Sequence, residues 1–452
     1  IAKWEALLGL SPISVNDDFF GLGGDSLSAV TMIIELGHEL NLMIREELAF
    51  SHTTPRGLAT VIEASAVASG ANPRVSTDPV ARVDLDQPPE LSPGELSVLV
   101  HQQARPADVM YNVGRTFTVQ GPVDAARLES AVRSAIARHE PLTWTFGSPR
   151  RKLEPTQALV FDAASHMVDA PTLANELTPW QQAPFNLQNG PLLRCKVQPL
   201  DDETTVVAVA IHHVSGDHGS LDQLWNDIDV AYQGRPSAPL QVGYGDFCAW
   251  QRKHDQHHQD FWDTQGAYPA RPTFGAASSE ADGYLTSTAS ISTEQLRTTV
   301  GRTPVANVVA AAAAAVAPFF ADDHIEVNLV TSTRDHDLAC DLVGYMLNPI
   351  PLRFPRSSHT SIDQFVAVAS GNIGQILPHR PYPFANIVND ARRRNDRPPT
   401  GSVLVSYSDD PVATLDGMPV RQQMLFNGNA VADVSFFVEP RSDHVNLGVE
   451  YN

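Results

Sequence analysis

The residues best able to do chemistry gather at the end of one apolar run. Residues 204–211 are mostly β-branched residues and alanine, the composition of a strand buried on both faces. The run leads directly into His212-His213-Val214-Ser215-Gly216-Asp217-His218-Gly219. Imidazoles that titrate near 6.5, with a carboxylate beside them, can accept or hold a proton at neutral pH. Strand ends and the loops beyond them are where a rigid scaffold places such groups. By alternation His213 shares a face with Val207, Val209 and Ile211, so it is expected to be partly desolvated. A single histidine so placed is more often a hydrogen-bonded core residue; here His212, Asp217, His218 and Gly219 accompany it.

A second candidate is Ser26, in Asp18-Phe19-Phe20-Gly21-Leu22-Gly23-Gly24-Asp25-Ser26-Leu27. Leu27, Val30, Ile33 and Ile34 follow at helical spacing, and Asp25 or Ser26 suits the N-cap. A helix start presents unpaired N–H groups and the positive end of the dipole, so a phosphodiester on Ser26 would sit in a favourable field. The plainer reading of Gly-Asp-Ser alone is a helix cap.

The elements that must position these groups fall into two parts. Residues 1–65 read as a small helical bundle, and residues 66–89, with Pro73, Pro79, Pro88 and Pro89, as a linker. From residue 90 helices and strands alternate. Residues 124–139 form an amphipathic helix with Leu128, Val132 and Ile136 on one face. Thr303-Pro304 opens an alanine-rich helix that stops before Pro318, and residues 326–331 read as a strand. Some 360 residues of mixed α/β exceed one core, so two lobes are expected.

Composition narrows the partners. With 31 basic and 52 acidic residues the net charge is −21, which argues against nucleic acid and anionic membrane. The longest apolar run, residues 308–317, is too short to span a bilayer. Three cysteines, widely spaced and odd in number, suit neither a disulfide framework nor a zinc set, so a cytoplasmic setting is expected. The chain starts at Ile1 rather than Met, so it is expected to be a piece of something longer.

The residues around Ser26, with Trp4-Glu5-Ala6-Leu7-Leu8 upstream, resemble the carrier-protein domain of nonribosomal peptide synthetases. His212-His213-x-x-x-Asp217 after a buried strand resembles the active-site motif of condensation domains, relatives of chloramphenicol acetyltransferase. Further segments agree in order. They are Arg138-His139-Glu140, Pro184-Phe185-Asn186-Leu187 with Gly190-Pro191-Leu192-Leu193-Arg194, Tyr244-x-Asp246-Phe247-x-x-Trp250, Gly344-x-x-x-Asn348 and Pro381-Tyr382-Pro383-Phe384.

The resemblance implies a multidomain chain: a four-helix-bundle carrier (1–65), a linker (66–89), and an α/β condensation domain whose N-terminal (90–265) and C-terminal (266–452) lobes open as a V. It implies covalent 4′-phosphopantetheine on Ser26, catalysis by His213, and a structural pair of Asp217 with Arg334; His212, Gly219 and Asn348 complete the motifs. The implied reaction is peptide bond formation from a peptidyl thioester on the carrier to the amine of an aminoacyl thioester on a downstream acceptor carrier protein. An upstream adenylation domain and a phosphopantetheinyl transferase are the other implied partners. Departures exist: His218 stands at the family's glycine, Thr143 at a usual arginine, Pro349 at a common threonine, and residues 92–101 match poorly. His218 is expected to narrow the substrate tunnel.

Rival readings are weaker. His254, His257 and His258 have helical spacing that can bind metal, but their polar neighbours point to a solvated face. A lipase-like serine hydrolase needs its serine directly after a buried strand, which residues 15–23 are not. A condensation-like domain that only recruits a partner enzyme, and an epimerisation domain, remain as alternatives. Heterocyclisation would replace the paired histidines.

Overall fold

The computed structural model describes residues 1–8, 10–24, 29, 32–33, 36, 48, 52–68, 88–254, 256–274, 285–292, 304–334, 337–356, 361–408, 413–440 and 444–451. In the first part, helices α1 (Ala2–Leu8) and α2 (Pro55–Ala68) share a small core of Trp4, Phe19, Ala29, Met32, Ile33, Leu48, Leu58 and Ile62. Trp4 meets Phe19 edge-on at 4.8 Å. Ser26 lies outside the described residues. Helix α2 runs on to Ala68, past the expected boundary at residue 65, because the alanine-rich run 64–68 has high helix propensity.

The larger part holds two six-stranded sheets among the described residues. The first, in order β2-β3-β4-β1-β10-β9, uses β1 (Asn112–Gln120), β2 (Leu159–Ala163), β3 (Leu193–Pro199), β4 (Thr204–His212), β9 (Ala413–Leu415) and β10 (Met418–Leu425). The second, in order β5-β12-β11-β8-β6-β7, uses β5 (Leu285–Ser292), β6 (His324–Ser332), β7 (Leu347–Pro355), β8 (Val403–Tyr407), β11 (Val434–Pro440) and β12 (His444–Tyr451).

The helices cover these sheets. They include α3 (Pro93–Ala104), α4 (Ala125–Arg138), α5 (His218–Tyr232), α6 (Tyr244–His254), α7 (Pro304–Val316), α8 (Ile362–Ile376) and α9 (Phe384–Arg393). Asp124 caps α4 by accepting the Arg127 N–H. Leu128, Val132 and Ile136 are buried on its inner face. The first core includes Phe117 stacked on Trp225 at 3.9 Å, and the second centres on α7, α8 and β6.

The chain crosses back over the expected division into lobes at 265/266. Strands β9 and β10, from the C-terminal half, complete the first sheet, with Gly114 opposite Leu425 and Val119 opposite Val420. One edge of β1 pairs with β4; the other would leave a row of N–H and C=O groups unpaired, and β10 satisfies them.

The solvated-face expectation also fails at His258, which is half-buried with its Nδ1 3.1 Å from Nδ1 of His379. The side chains of His254 and His257 lie outside the described residues. No helix among the described residues is long and apolar enough to cross a membrane.

Candidate active site

Strand β4 ends at His212, and the His213 N–H donates to the Tyr111 carbonyl at 2.7 Å. The chain then makes one tight turn, His213–Ser215, and enters α5 with Asp217 as N-cap. Gly216 is forced by close approach, since a Cβ there would stand 2.8 Å from Ile211 Cδ1 and 2.9 Å from Ser220 Cβ. The motif is thus a strand-to-helix reversal, with successive side chains sent to different surroundings.

His212 is committed to structure. Its Nδ1 accepts the Val214 N–H at 3.2 Å, and its Nε2 lies 3.1 Å from Oε1 of Gln102. The Gln102 amide nitrogen donates to the carbonyls of Arg105, Pro106 and Asp108, which orients Oε1 as the acceptor of the His212 Nε2–H. Burial, with a smaller effect of His213, pushes the His212 pKa down to about 3.

His213 differs. Its Nδ1 lies 2.8 Å from the Gly216 carbonyl, so Nδ1 carries the proton and Nε2 keeps its lone pair. Nε2 makes no hydrogen bond among the described residues, and the ring lines a cavity beside Tyr111 and Tyr345, whose ring is 5.1 Å away. Burial lowers its pKa from the ordinary value; Asp217 and the Gly216 carbonyl act in the opposite sense. The imidazole is therefore neutral at pH 7 and presents a base or hydrogen-bond acceptor to the cavity.

Asp217 faces away from that cavity and is saturated. Arg334 donates from Nη2 to Oδ1 at 2.7 Å and from Nη1 to Oδ2 at 2.9 Å. The Ser220 N–H adds a bond to Oδ1 at 2.8 Å and the Met346 N–H one to Oδ2 at 3.0 Å. Burial raises the Asp217 pKa, but Arg334 and these donors outweigh it and hold it at about 2.

Gly219, one place later than the family's usual glycine, lets the guanidinium lie against the start of α5. A Cβ there would stand 3.2 Å from Arg334 Nη1. His218 lines both the cavity of His213 and a larger one, of about 420 Å³, that also touches Arg115, Asp222 and Arg334. Its Nδ1 has no hydrogen-bond partner among the described residues. Burial, Arg115 and His213 push its pKa down to about 3 against the pull of Asp217.

Other motif residues hold the frame. Asn348 donates to the carbonyls of Arg380 and Tyr382 at 2.7 and 2.8 Å and accepts the Phe384 N–H at 2.8 Å, which ties two of the sequence motifs into one loop. Arg138 and His139 both hold Asp227 on α5, while Glu140 accepts the Gly245 N–H. Tyr244 donates to the Tyr345 carbonyl at 3.0 Å, and its ring lies so close to Gly344 that a Cβ would stand 2.1 Å away.

The sequence reading missed Gln102, Tyr111, Ser220 and Tyr345, and the ion pair of buried Arg115 with half-buried Asp222. None of these carries a local signal; Gln102 sits just after the poorly matching stretch 92–101.

The Condensation domain family matches residues 90–426, and the Phosphopantetheine attachment site family matches residues 1–62. Tyrocidine synthase 2 of Brevibacillus parabrevis is 26% identical over 444 residues, 93% of this chain and 12% of the relative. Surfactin synthase subunit 2 of Bacillus subtilis (strain 168) is 24% identical over 471 residues, 99% of this chain and 13% of the relative. The chain thus spans about an eighth of the length of these curated relatives.

Solved structures share the fold. A starter condensation domain of rhizomide synthetase RzmA, in complex with C8-CoA and Leu-SNAC, superposes with a TM-score of 0.69 at 19% identity over 80% of this chain and 88% of that one. The X-domain in its complex with OxyB from teicoplanin biosynthesis gives 0.64 at 19% identity, over 82% and 89%. The chain belongs to the condensation-domain family of nonribosomal peptide synthetases, with a phosphopantetheine-attachment domain ahead of it.

Proposed function

We propose that residues 90–452 join a donor acyl thioester to the amine of an acceptor aminoacyl thioester, with Ser26 as the attachment point of the donor's phosphopantetheine. The prosthetic group supplies a thiol that carries the acyl group as a thioester. In this reading residues 1–65 form a four-helix carrier bundle and the two acetyltransferase-like lobes open as a V around the tunnel. The described residues near Ser26 fit a helix-start attachment site. Gly24 is pressed against the Phe19 ring, where a Cβ would stand 2.3 Å away, and Ala29, Met32 and Ile33 beyond it are buried.

One observation carries the catalytic reading: His213 Nδ1 is committed to Gly216, which leaves Nε2 as the acceptor at the cavity wall. The acceptor nitrogen attacks the thioester carbonyl, a C–N bond forms, the C–S bond breaks, and the proton shed by the amine ends on the departing thiolate. An α-amine with a pKa of about 8 is roughly one-tenth unprotonated at pH 7, so little is gained by a base acting before attack. His213 therefore orients the amine or takes its proton as the bond forms. Asp217 and Arg334 hold the turn that aims it.

The acceptor arrives on a downstream carrier, the donor's amino acid is supplied by an upstream adenylation domain, and a phosphopantetheinyl transferase loads Ser26, in the cytoplasm. The recruiting alternative shares the fold, as the X-domain likeness illustrates, but leaves the Nε2 arrangement of His213 without a purpose. The test loads Ser26 with a donor, supplies an acceptor aminoacyl thioester, and follows the dipeptide by mass spectrometry. Dipeptide from the parent, and none from His213→Ala with Ser26 equally loaded, supports the reading. Equal yields from both overturn it.

A further inference from the structure

The cavity that His213 lines reaches a carboxylate at another wall. Glu450 stands near the end of β12, opposite Ser435 on β11, and both line this cavity. Much of the remaining wall is apolar, including Val330, Leu404, Met424 and Phe436. Glu450 is only 6% exposed, yet no hydrogen bond or ion pair reaches its carboxylate among the described residues.

Another buried glutamate of the same sheet shows what a structural role requires. Glu326 on β6 accepts from Asn328 Nδ2, from the Thr400 N–H and from the Gly401 N–H. Buried carboxylates are normally satisfied in this way, because burying one without a partner is costly. At Glu450 burial alone is at work and pushes its carboxyl up to about 7. A group that enters the cavity is placed to supply the missing partner.

We propose that Glu450 is a specificity residue that favours an aminoacyl side chain ending in a cation, an ammonium or a guanidinium, among the groups that meet at His213. This inference rests on the condensation reading. In a cavity with a largely apolar wall a charge-assisted hydrogen bond to the carboxylate is strong, and a neutral isostere of that side chain leaves Glu450 without a partner. The cation belongs either to the donor or to the acceptor, and the two arms of the test separate these sources.

The full chain is loaded on Ser26 with a glycyl donor and offered lysyl or norleucyl N-acetylcysteamine thioesters as acceptors. In the second arm lysyl or norleucyl donors meet a glycyl acceptor. The expected result is a lysyl preference of about tenfold or more in kcat/KM in one arm, lost in Glu450→Gln. Thermal unfolding of the variant, expected to be no lower than the parent's, separates this role from a structural one. Dipeptide formed without discrimination in either arm overturns the inference and leaves the condensation reading standing. So does a preference that survives in a stable Glu450→Gln. No dipeptide from any pair overturns the condensation reading and the inference with it.

Discussion

Arg334 grips both carboxylate oxygens of Asp217, at 2.7 and 2.9 Å, and so pins the end of β6 in the second sheet to the start of α5 beside the first. The pair is deeply buried on the Asp217 side, which is 0% exposed. Such a pair stabilises little relative to apolar packing, but removing one member strands the other charge.

Asp217→Ala and Arg334→Ala should therefore each lower stability by about 3–5 kcal/mol in urea unfolding, and the double variant should lose less than the sum. Asp217→Ala that matches the parent in stability and loses only activity would reassign this carboxylate to direct chemistry.

His213→Ala should lower the rate of peptide formation by about a hundredfold or more. His213→Gln can accept a hydrogen bond but cannot take a proton at neutral pH, so it separates positioning from proton transfer. Substantial activity in the glutamine variant favours positioning; a loss as deep as alanine's favours proton transfer. Single-turnover rates with Ser26 fully loaded make the comparison.

His218 lies where the cavity of His213 adjoins the larger one lined by Arg115 and Asp222. His218→Gly opens that boundary and should raise turnover with bulky acceptors relative to small ones. Unchanged ratios across an acceptor series remove this role for the imidazole.

Glu95 gives a pH signature. Burial pushes its carboxyl up to about 7, partly offset by hydrogen bonds from Ser92 and by Arg150. An unfolded glutamate releases its proton near 4.5, so between about 4.5 and 7 the folded state holds the more protons. This contribution is complete below 4.5 and is lost as pH rises through 7. Glutamine keeps the capping bonds to Ser92 and stays neutral, so Glu95→Gln should flatten that part of the stability profile, by roughly 3 kcal/mol between pH 4.5 and 8. Equal slopes for parent and variant in urea unfolding refute it.

Ser26→Ala should keep the helical signal of the parent and gain no phosphopantetheine mass when treated with coenzyme A and a phosphopantetheinyl transferase. A variant that still gains that mass places the attachment elsewhere.

The sequence alone determined the ordered motifs, the buried strand that ends at His212, and the helix opened by Asp124, since these rest on spacing and composition within one segment. It also singled out His213 and paired Asp217 with Arg334 through the resemblance. Only the tertiary structure decided which motif residues meet the cavity. Arg138, His139, Glu140 and Asn348 sit in motifs like that of His213, yet their side chains bond the frame. The lock on His212 comes from Gln102, 110 positions away, and the free edge of β1 is closed by β10 from the far end of the chain. Glu450 carries no signal in its local sequence, and only the fold makes it part of the cavity wall. Local spacing sets which face a side chain occupies, but a contact between distant segments depends on how the whole chain closes, and no period in the sequence encodes that.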